Sequence, residues 1–294
     1  DDGANLIITT GETKPYAFDG GSITLGTDGD LTNSNSVAYI NRRVVYDGKT
    51  DDVQFADLDD PLTLNSANIT KAEARADKTS VVWAYKNQIF AGGPNSIQPY
   101  WNSGSGNPPY SPIVNSTQDV GILAPYSVAQ NKYFSYFLGS NINVYQMNGL
   151  TSIPIGNPAI CQALQGYKNL ADAYGHCFTL DGQEFYMLTI PEEATWLFNE
   201  TSQQWSNLAY ETLGAPHLMS GYVFAYGKHL CGDRRNGNIY ELDPDTYADN
   251  GDTVQRIRDT VAISGTQLGK PGALVFMRSL KLRIEPGTSL VGTE

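Results

Sequence analysis

The stretch KHLCGDRRNGNIYEL (Lys228–Leu242) contains an apolar run, a Gly- and Asn-rich turn, and an alternating run that carries an aromatic residue. This order is typical of a β-hairpin, because Asn-Gly favours a turn with positive φ and alternation gives a strand one apolar face. The same stretch holds a histidine, a cysteine and two arginines, which would also suit an active site or a metal site. Recurrence of the pattern elsewhere would favour a repeated fold.

The pattern recurs at four other places along the chain. They are RRVVYDGKTDDVQFADL (42–58), NQIFAGGPNSIQPYW (87–101), YFSYFLGSNINVYQM (133–147) and EFYMLTIPEEATWLFNE (184–200). The apolar residue that begins the second strand of each hairpin recurs after 44, 45, 54 and 43 residues, at Val53, Ile97, Ile142, Trp196 and Ile239. A nearly fixed period of this size indicates a repeat architecture.

Further short apolar runs, such as SVVWAY (80–85) and GYVFAYG (221–227), give each repeat about four strands. The segment NLIITTGETKPYAFDG (5–20) adds one more hairpin, and LVFMRSLKLRIEP (274–286) adds one more strand pair. Units of this length are typical of propeller blades, which stack radially because a single blade cannot bury both of its faces. The sequence therefore predicts an all-β protein, a β-propeller of about six blades, with a β-sandwich as the main alternative.

Two segments have a helical pattern. In NPAICQALQGY (157–167), Asn157 can cap a helix, Pro158 suits its first position, and Ile160 and Leu164 fall on one face, which predicts a short inserted helix and explains the 54-residue spacing. The segment 65–77, NSANITKAEARAD, is a second helix candidate, with good helix formers and a poorer apolar face. We assign residues 1–253 to the propeller. Residues 254–294 are predicted to be C-terminal strands that complete a blade or start a further small domain.

Composition limits the classes of function. The chain of 294 residues has 19 Lys and Arg against 31 Asp and Glu, a formal net charge of −12. Non-specific nucleic-acid binding depends on clustered Lys and Arg side chains, so a protein that binds DNA tightly through its phosphates is disfavoured. No apolar run approaches the roughly 18 residues that predict a membrane-spanning helix. The three cysteines are far apart and form no CxxC pair, which predicts reduced thiols.

The residues that could carry chemistry have ordinary explanations. The acidic run from Asp243 to Asp252 alternates too briefly for an EF-hand loop, so turn formation is favoured over a structural Ca²⁺. His176, His217 and His229 are predicted to be hydrogen-bonded structural residues, because no metal-ligand spacing or nucleophile motif surrounds them.

Four carboxylates in the turns of the 184–200 repeat keep an enzymatic alternative open: Asp181, Glu184, Glu192 and Glu193. Propellers can hydrolyse glycosidic bonds with two acids at close range, but solvated turn residues are the ordinary interpretation. We therefore predict a protein that is not an enzyme, with no catalytic residue, cofactor or metal ligand.

A few residues are candidates for contact with partner proteins. Arg234 and Arg235 lie at the tip of the hairpin at 228–242, where a solvated position is expected and an interface contact is the alternative. Tyr100 and Trp101 end a strand and are expected to pack between blades. The loop after them, with Tyr110, could contact a sugar or another subunit.

The segment YGKHLCGDRRNGNIYELDPDTYADNG (226–251) closely resembles the signature of the packaged-DNA stabilisation, or tail hub, family of short-tailed bacteriophages. Other blocks agree with that family in order, among them QFADLDDPLTLN (54–65), PAICQALQGY (158–167), FYMLTIP (185–191) and TWLFNETSQQW (195–205). The similarity runs from about Val44 to Gly251 and is weaker over 5–44 and after Thr253.

This resemblance implies a structural virion protein of the phage tail, made in the cytoplasm of the bacterial host. Family members look like propeller-bearing hubs that assemble as homohexamers below the portal and its adaptor protein. They close the channel after DNA packaging and carry the tail needle and tailspikes. It implies no membrane contact and no specific nucleic-acid binding. The alternatives from other classes are a carbohydrate-binding or glycoside-hydrolysing β-propeller, and a secreted adhesion or scaffold protein.

Overall fold

A computed structural model of the chain describes residues 5–253 except 49, 73–76, 105, 213, 244, 247 and 250, and beyond them 257, 265–266, 269–276 and 279. The chain divides into two compact units, residues 1–254 and 255–294. Every strand and helix given below belongs to the first unit. Most of the strand pair predicted at 274–286 lies outside the described residues.

The described part of the first unit contains six antiparallel sheets of three or four strands, each formed by strands that are consecutive in the sequence. Sheet 1 consists of β1 (Leu6–Ile8), β2 (Tyr16–Phe18) and β3 (Ile23–Leu25), and sheet 2 of β4 (Val37–Ile40), β5 (Arg43–Asp47), β6 (Asp52–Phe55) and β7 (Ile69–Lys71). Sheet 3 consists of β8 (Val81–Tyr85), β9 (Gln88–Gly92), β10 (Ile97–Asn102) and β11 (Tyr110–Pro112), and sheet 4 of β12 (Ala129–Gln130), β13 (Ser135–Gly139), β14 (Asn143–Asn148) and β15 (Thr151–Pro154). Sheet 5 consists of β16 (Tyr174–Leu180), β17 (Gln183–Ile190), β18 (Ala194–Asn199) and β19 (Gln204–Leu208), and sheet 6 of β20 (Met219–Ala225), β21 (Lys228–Asp233) and β22 (Ile239–Glu241). A two-stranded hairpin of β23 (Ala248–Asp249) and β24 (Asp252–Thr253) follows.

The five hairpins found in the sequence are the second and third strands of sheets 2 to 6. Four of the five marker residues lie in the third strand of their sheet, while Ile142 lies in the turn before β14 with φ of 58°. The apolar run at 80–85 contains the first strand β8, the run at 221–227 overlaps the first strand β20, and the hairpin predicted at 5–20 is β1 and β2.

The first strands of neighbouring sheets pack on one another, as β4 does on β8, β12 on β16 and β16 on β20. Five hydrophobic clusters lie between consecutive sheets, joining sheet 1 to 2, 2 to 3, 3 to 4, 4 to 5 and 5 to 6. This radial arrangement is a six-bladed β-propeller, so the predicted fold class is confirmed and the sandwich is excluded.

The inserted helix predicted from the sequence is present as α1 (Pro158–Gly166). The side chain of Asn157 accepts a hydrogen bond of 3.0 Å from the backbone N–H of Ile160, and Pro158 occupies the first turn. Ile160 and Leu164 are fully buried in the cluster between sheets 4 and 5. The cap fixes where the helix begins, and the two apolar residues fix which face it buries. No helix among the described residues is long and apolar enough to cross a membrane.

The second helix candidate, at 65–77, is wrong for the residues that the structure describes. Asn65 caps only a single 3₁₀ turn, Ser66–Asn68, and the chain then enters strand β7. Thr70 of this strand pairs with Val53 of β6. Two β-branched residues, Ile69 and Thr70, favour the strand, and the good helix formers at 73–76 lie outside the described residues.

Replacing Asn157 with alanine is expected to lower the free energy of unfolding by about 1 kcal/mol, because the N–H of Ile160 loses its acceptor. Urea denaturation followed by fluorescence would measure the change. The control is Asn157→Asp, which keeps an acceptor at this position and should stay close to wild type. Equal losses in the two variants would show that the cap contributes nothing.

Candidate functional site

Of the two arginines expected at the solvated tip of the hairpin at 228–242, Arg234 packs against the protein itself. Arg234 Nη1 donates to Glu192 Oε1 at 2.9 Å, and its Nε donates to the carbonyl of His217 at 3.2 Å. The Arg234 side chain is only 21% exposed. Because Glu192 lies in the turn between β17 and β18, Arg234 ties sheet 6 to sheet 5.

Arg235 is held in the same way. Its guanidinium lies 4.5 Å from the centre of the Tyr210 ring, and its backbone N–H donates to Asp233 Oδ1 at 2.7 Å. Asp233 also accepts hydrogen bonds from Asn236 Nδ2 at 3.0 Å and from the Tyr240 hydroxyl at 3.2 Å. The expectation of a solvated tip is therefore wrong for Arg234, whereas Arg235 is exposed as expected, and a contact with a partner protein stays a prediction.

The aromatic candidates separate into buried and exposed residues. Tyr100 and Tyr110 are fully buried, and Tyr110 stacks on Phe55 with ring centres 5.1 Å apart. The Tyr110 hydroxyl accepts a hydrogen bond of 2.9 Å from Asn41, and burial raises the pKa of this phenol. Tyr100 lies in the cluster between sheets 2 and 3, so the expectation that it packs between blades is confirmed, and burial leaves neither Tyr100 nor Tyr110 open to direct contact with a partner. The expectation of packing between blades is wrong for Trp101. Trp101, at 49% exposure, is the member of this group that a partner could reach.

The four carboxylates of the enzymatic alternative lie at the two ends of strand β17. Asp181 and Glu184 lie near its start, whereas Glu192 and Glu193 follow its end, about 26 Å away for eight residues of strand. Glu184 accepts from Thr179 Oγ1 at 2.9 Å, and Glu193 accepts from the backbone N–H groups of Lys168 and Asn169. The four acids therefore form no single cluster, and three of them have local structural partners.

The histidines make the hydrogen bonds expected of structural residues. His176 Nε2 donates to the carbonyl of Ser220 at 2.9 Å, which links β16 to β20. His217 Nδ1 accepts from the N–H of Met219 at 3.3 Å, and its Nε2 lies 3.8 Å from Asp249. A ring nitrogen of His229 lies 2.8 Å from the Tyr222 hydroxyl.

The acidic run near the end of the propeller forms turns. Asp243 accepts from the N–H of Asp245 and from Thr246 Oγ1, both at 3.0 Å, and Asp252 accepts from the Tyr210 hydroxyl at 2.8 Å. Within the part of the chain that the structure describes, no group of three or more His, Cys, Asp or Glu side chains could hold a metal ion. The three cysteines are free thiols, as predicted.

Serines that link strands and blades were not found from the sequence. Ser36 Oγ accepts from the N–H of Val82 in the next blade at 2.8 Å and bonds Asp47 Oδ1 at 3.1 Å. Ser127 Oγ accepts from the N–H of Leu138 at 2.9 Å. Ser80 Oγ donates to the carbonyl of Gly92 at 3.0 Å. A signal was available, because the dipeptide Ser-Val recurs at 36–37, 80–81 and 127–128, just before or at the first strand of three blades.

Two partly buried histidines, His176 and His217, are expected to make stability depend on pH. Burial lowers the pKa of His176, and for His217 burial outweighs the opposing effect of Asp249. A histidine whose folded pKa is depressed contributes stability that is complete above its unfolded pKa of about 6.5 and is lost as the pH falls through the folded pKa. The urea concentration at the midpoint of unfolding should therefore decrease as the pH is lowered from about 7.5 to about 5.5. The decrease should be smaller in His176→Gln. An unchanged pH dependence in that variant would contradict the assignment.

Comparison with known proteins agrees with the fold. Dihydro-heme d1 dehydrogenase NirN in complex with DHE is 11% identical, with a TM-score of 0.54 over 88% of this chain and 55% of that one. The extracellular domain of the putative one component system BT4673 from B. thetaiotaomicron is 9% identical, with a TM-score of 0.52 over 84% of this chain and 32% of that one. The computationally designed Ika8 protein is 9% identical, with a TM-score of 0.49 over 78% of this chain. This chain spans 65% of the Ika8 protein, less than two thirds of its length. At these identities the likeness to the first two structures concerns the fold alone.

No curated protein matches the chain. A family model described as "Bacteriophage P22 Gp10, beta-propeller" matches residues 2–247. The match includes the region 5–44, where the resemblance found in the sequence is weaker. Together with the six blades and the inserted helix, this match shows that the chain belongs to the bacteriophage P22 Gp10 β-propeller family and is a phage structural protein.

Proposed function

We propose that this protein is a tail hub and head-completion factor of a short-tailed bacteriophage, located in the tail of the virion. In this role it closes the portal channel once DNA is packaged and joins the channel to the tail needle and tailspikes. Its partners are other copies of itself in a hexamer, the portal adaptor protein, the needle and the spikes. The observation that supports the proposal is the family match over residues 2–247, because it covers all six blades and not one motif.

The negative charge of the chain favours a mechanism in which the protein plugs the channel and does not bind the DNA itself. Each copy carries a formal net charge of −12, and six copies around a channel would repel the phosphates of duplex DNA. Contact with this protein would release few counterions from the DNA, so the affinity for DNA should be low. Retention of DNA is then mechanical, and it depends on contacts between subunits.

Purified protein is expected to bind duplex DNA weakly at low and at moderate salt. Fluorescence anisotropy with a labelled duplex at two salt concentrations measures this directly. Tight binding that weakens steeply with salt would indicate phosphate contacts and would overturn closure by repulsion and plugging. The family assignment would not be affected by that result.

The proposed role is tested in the phage that encodes this chain, with the gene disrupted and supplied again from a plasmid. Without the protein, heads should package DNA and then lose it, which quantitative PCR of nuclease-protected DNA would detect. Negative-stain microscopy of the same particles should show no needle or spikes. Particles that keep their DNA, their needle and their spikes would refute the proposal, and binding or hydrolysis of glycans by the pure protein would favour the carbohydrate alternative.

A further inference from the structure

A cleft lies between sheets 2 and 3, beside the turn that joins β4 to β5. Its cavity of about 240 Å³ is lined by Asn41, Arg43 and Leu58 of sheet 2 and its loops, and by residues of the loop that joins β10 to β11 in sheet 3. Small-molecule pockets usually enclose about 300–1,000 Å³ and contain a few polar groups that point to the ligand. The cleft therefore suits a ligand smaller than an ordinary cofactor.

The guanidinium of Arg43 is the charged group in the lining of this cleft. Arg43 is half-buried, and its Nη1 donates to the carbonyl of Ala56 at 2.7 Å, which fixes the position of the guanidinium. An arginine side chain has five N–H donors, so a bond to one carbonyl leaves others for a ligand.

Arg43 also differs from the other three arginines that the structure describes. Each of those three forms an ion pair: Arg42 with Asp59, Arg234 with Glu192 and Arg235 with Asp233. No ion pair joins Arg43 to a carboxylate among the described residues. A cation that is partly removed from water is costly unless an anion accompanies it. This unpaired, half-buried cation in a cleft indicates an anionic ligand.

Two amide side chains in the lining can recognise hydroxyl groups next to the anion. Asn41 Nδ2 donates to the Tyr110 hydroxyl at 2.9 Å, which orients this amide, and the amide oxygen can accept a hydrogen bond from a ligand. Asn102 Oδ1 accepts from the backbone N–H of Gly104 at 2.9 Å, and its Nδ2 can donate to a ligand. An amide offers both a donor and an acceptor, as a hydroxyl group does.

The single guanidinium matches a ligand with one negative charge. A planar carboxylate can accept two parallel hydrogen bonds from one guanidinium. A dianionic phosphate would leave one charge uncompensated in a chain whose formal net charge is −12. The acids in the loop after β6 are already engaged, because Asp59 pairs with Arg42 and Asp57 Oδ1 accepts from Asn68 Nδ2 at 3.0 Å.

We propose that the cleft between sheets 2 and 3 binds a small hydroxy monocarboxylate, with Arg43 on its carboxylate and Asn41 and Asn102 on its hydroxyl groups. Leu58 and Pro109 supply apolar contact for the carbon chain. The site does not rest on the proposed function, and either can fail without the other.

The test is a titration of the full chain with D-gluconate, followed by saturation transfer difference NMR of the ligand. We expect a dissociation constant on the order of 1 mM, as for a small ligand with few contacts. Sorbitol has the same carbon chain without the carboxylate, and acetate has the carboxylate without the hydroxyl groups. Each should bind at least about tenfold more weakly than gluconate, and inorganic phosphate should not displace it.

Two variants assign the binding to the cleft. Arg43→Gln removes the charge but keeps an N–H donor for the carbonyl of Ala56. Asn102→Asp keeps the acceptor for the N–H of Gly104 and places a second negative charge beside the ligand. Both should weaken gluconate binding at least about tenfold. The matched control is Lys228→Gln, which changes the net charge equally at an exposed position of sheet 6 and should change the affinity less than about twofold.

Every other result overturns the site. Absence of gluconate binding would show that the cleft holds no such ligand, and equal binding of sorbitol or acetate would remove the carboxylate or the hydroxyl groups from recognition. Displacement by phosphate would indicate a general anion site. Unchanged affinity in Arg43→Gln and Asn102→Asp, with both variants folded by circular dichroism, would place the binding elsewhere on the protein.

Discussion

Replacing Tyr186 with alanine is expected to lower the free energy of unfolding by about 3–5 kcal/mol, the largest loss that we predict. The Tyr186 side chain is fully buried in the cluster between sheets 4 and 5, and its ring stacks on Tyr136 with centres 4.9 Å apart. Its hydroxyl donates to the carbonyl of Ser127 at 2.9 Å. The substitution therefore leaves a cavity between two blades and removes the hydrogen bond from the Tyr186 hydroxyl to Ser127. Urea denaturation would measure the loss.

Two further variants separate the causes of that loss. Tyr186→Phe keeps the ring and removes the hydroxyl, so it should cost about 1–2 kcal/mol, the effect of one lost buried hydrogen bond. Tyr226→Ala removes a ring that is 95% exposed and should change stability by less than about 0.5 kcal/mol. A Tyr186→Ala loss no larger than that of Tyr226→Ala would mean that the interface between sheets 4 and 5 contributes little to stability.

The sequence predicts the blades because each one contains its own signals. A hairpin needs a turn and two alternating strands, and all three lie within fewer than twenty residues, as at 87–101 and 133–147. The helix at 158–166 was predictable for the same reason, since Asn157 and Pro158 mark its start locally. The family resemblance was also a property of consecutive residues. The propeller, its inserted helix and its family could therefore be predicted before any coordinates.

Contacts between blades could not be predicted, because their partners are far apart in the sequence. Arg234 lies in a segment with the composition of a solvated tip, yet Glu192 and the carbonyl of His217 hold it against the preceding blade. Tyr110 follows a Gly-, Ser- and Pro-rich loop, yet it stacks on Phe55 from the preceding blade. In both cases the fate of the side chain is set by a residue at least 17 positions away, which local patterns do not report.

The reactive side chains of 228–242 do not by themselves predict an active site, because their partners are also set by the fold. The histidine, cysteine and arginines of 228–242 suggest chemistry when they are considered as a composition. In the structure each has a partner that holds a strand or a turn, such as Tyr222 for His229 and Tyr240 for Cys231. The recurring Ser-Val dipeptide indicates such a link better than any single reactive residue does.

Replacing Gly121 with alanine is expected to destabilise the protein by about 3 kcal/mol, because the added methyl group has no space. A Cβ on Gly121 would overlap the carbonyl group of Pro94, in the turn before β10. The backbone here cannot shift easily, since Ile122 N–H donates to Gly93 at 2.8 Å and Ser140 N–H donates to Gly121 at 2.9 Å. The close approach of the backbones at Gly121 and Pro94 joins sheet 3 to sheet 4, and only glycine permits it.

The matched control for this variant is Gly29→Ala. Gly29 is exposed and a Cβ there meets no atom within 4 Å, so its substitution should change the free energy of unfolding by less than about 0.5 kcal/mol. Neither glycine has a positive φ, so alanine introduces no backbone strain at either position. The difference between the urea midpoints of the two variants therefore measures the effect of the close contact at Gly121. Equal stability of Gly121→Ala and Gly29→Ala would show that the turn at Pro94 yields without cost, and that blades 3 and 4 are not held at a fixed spacing.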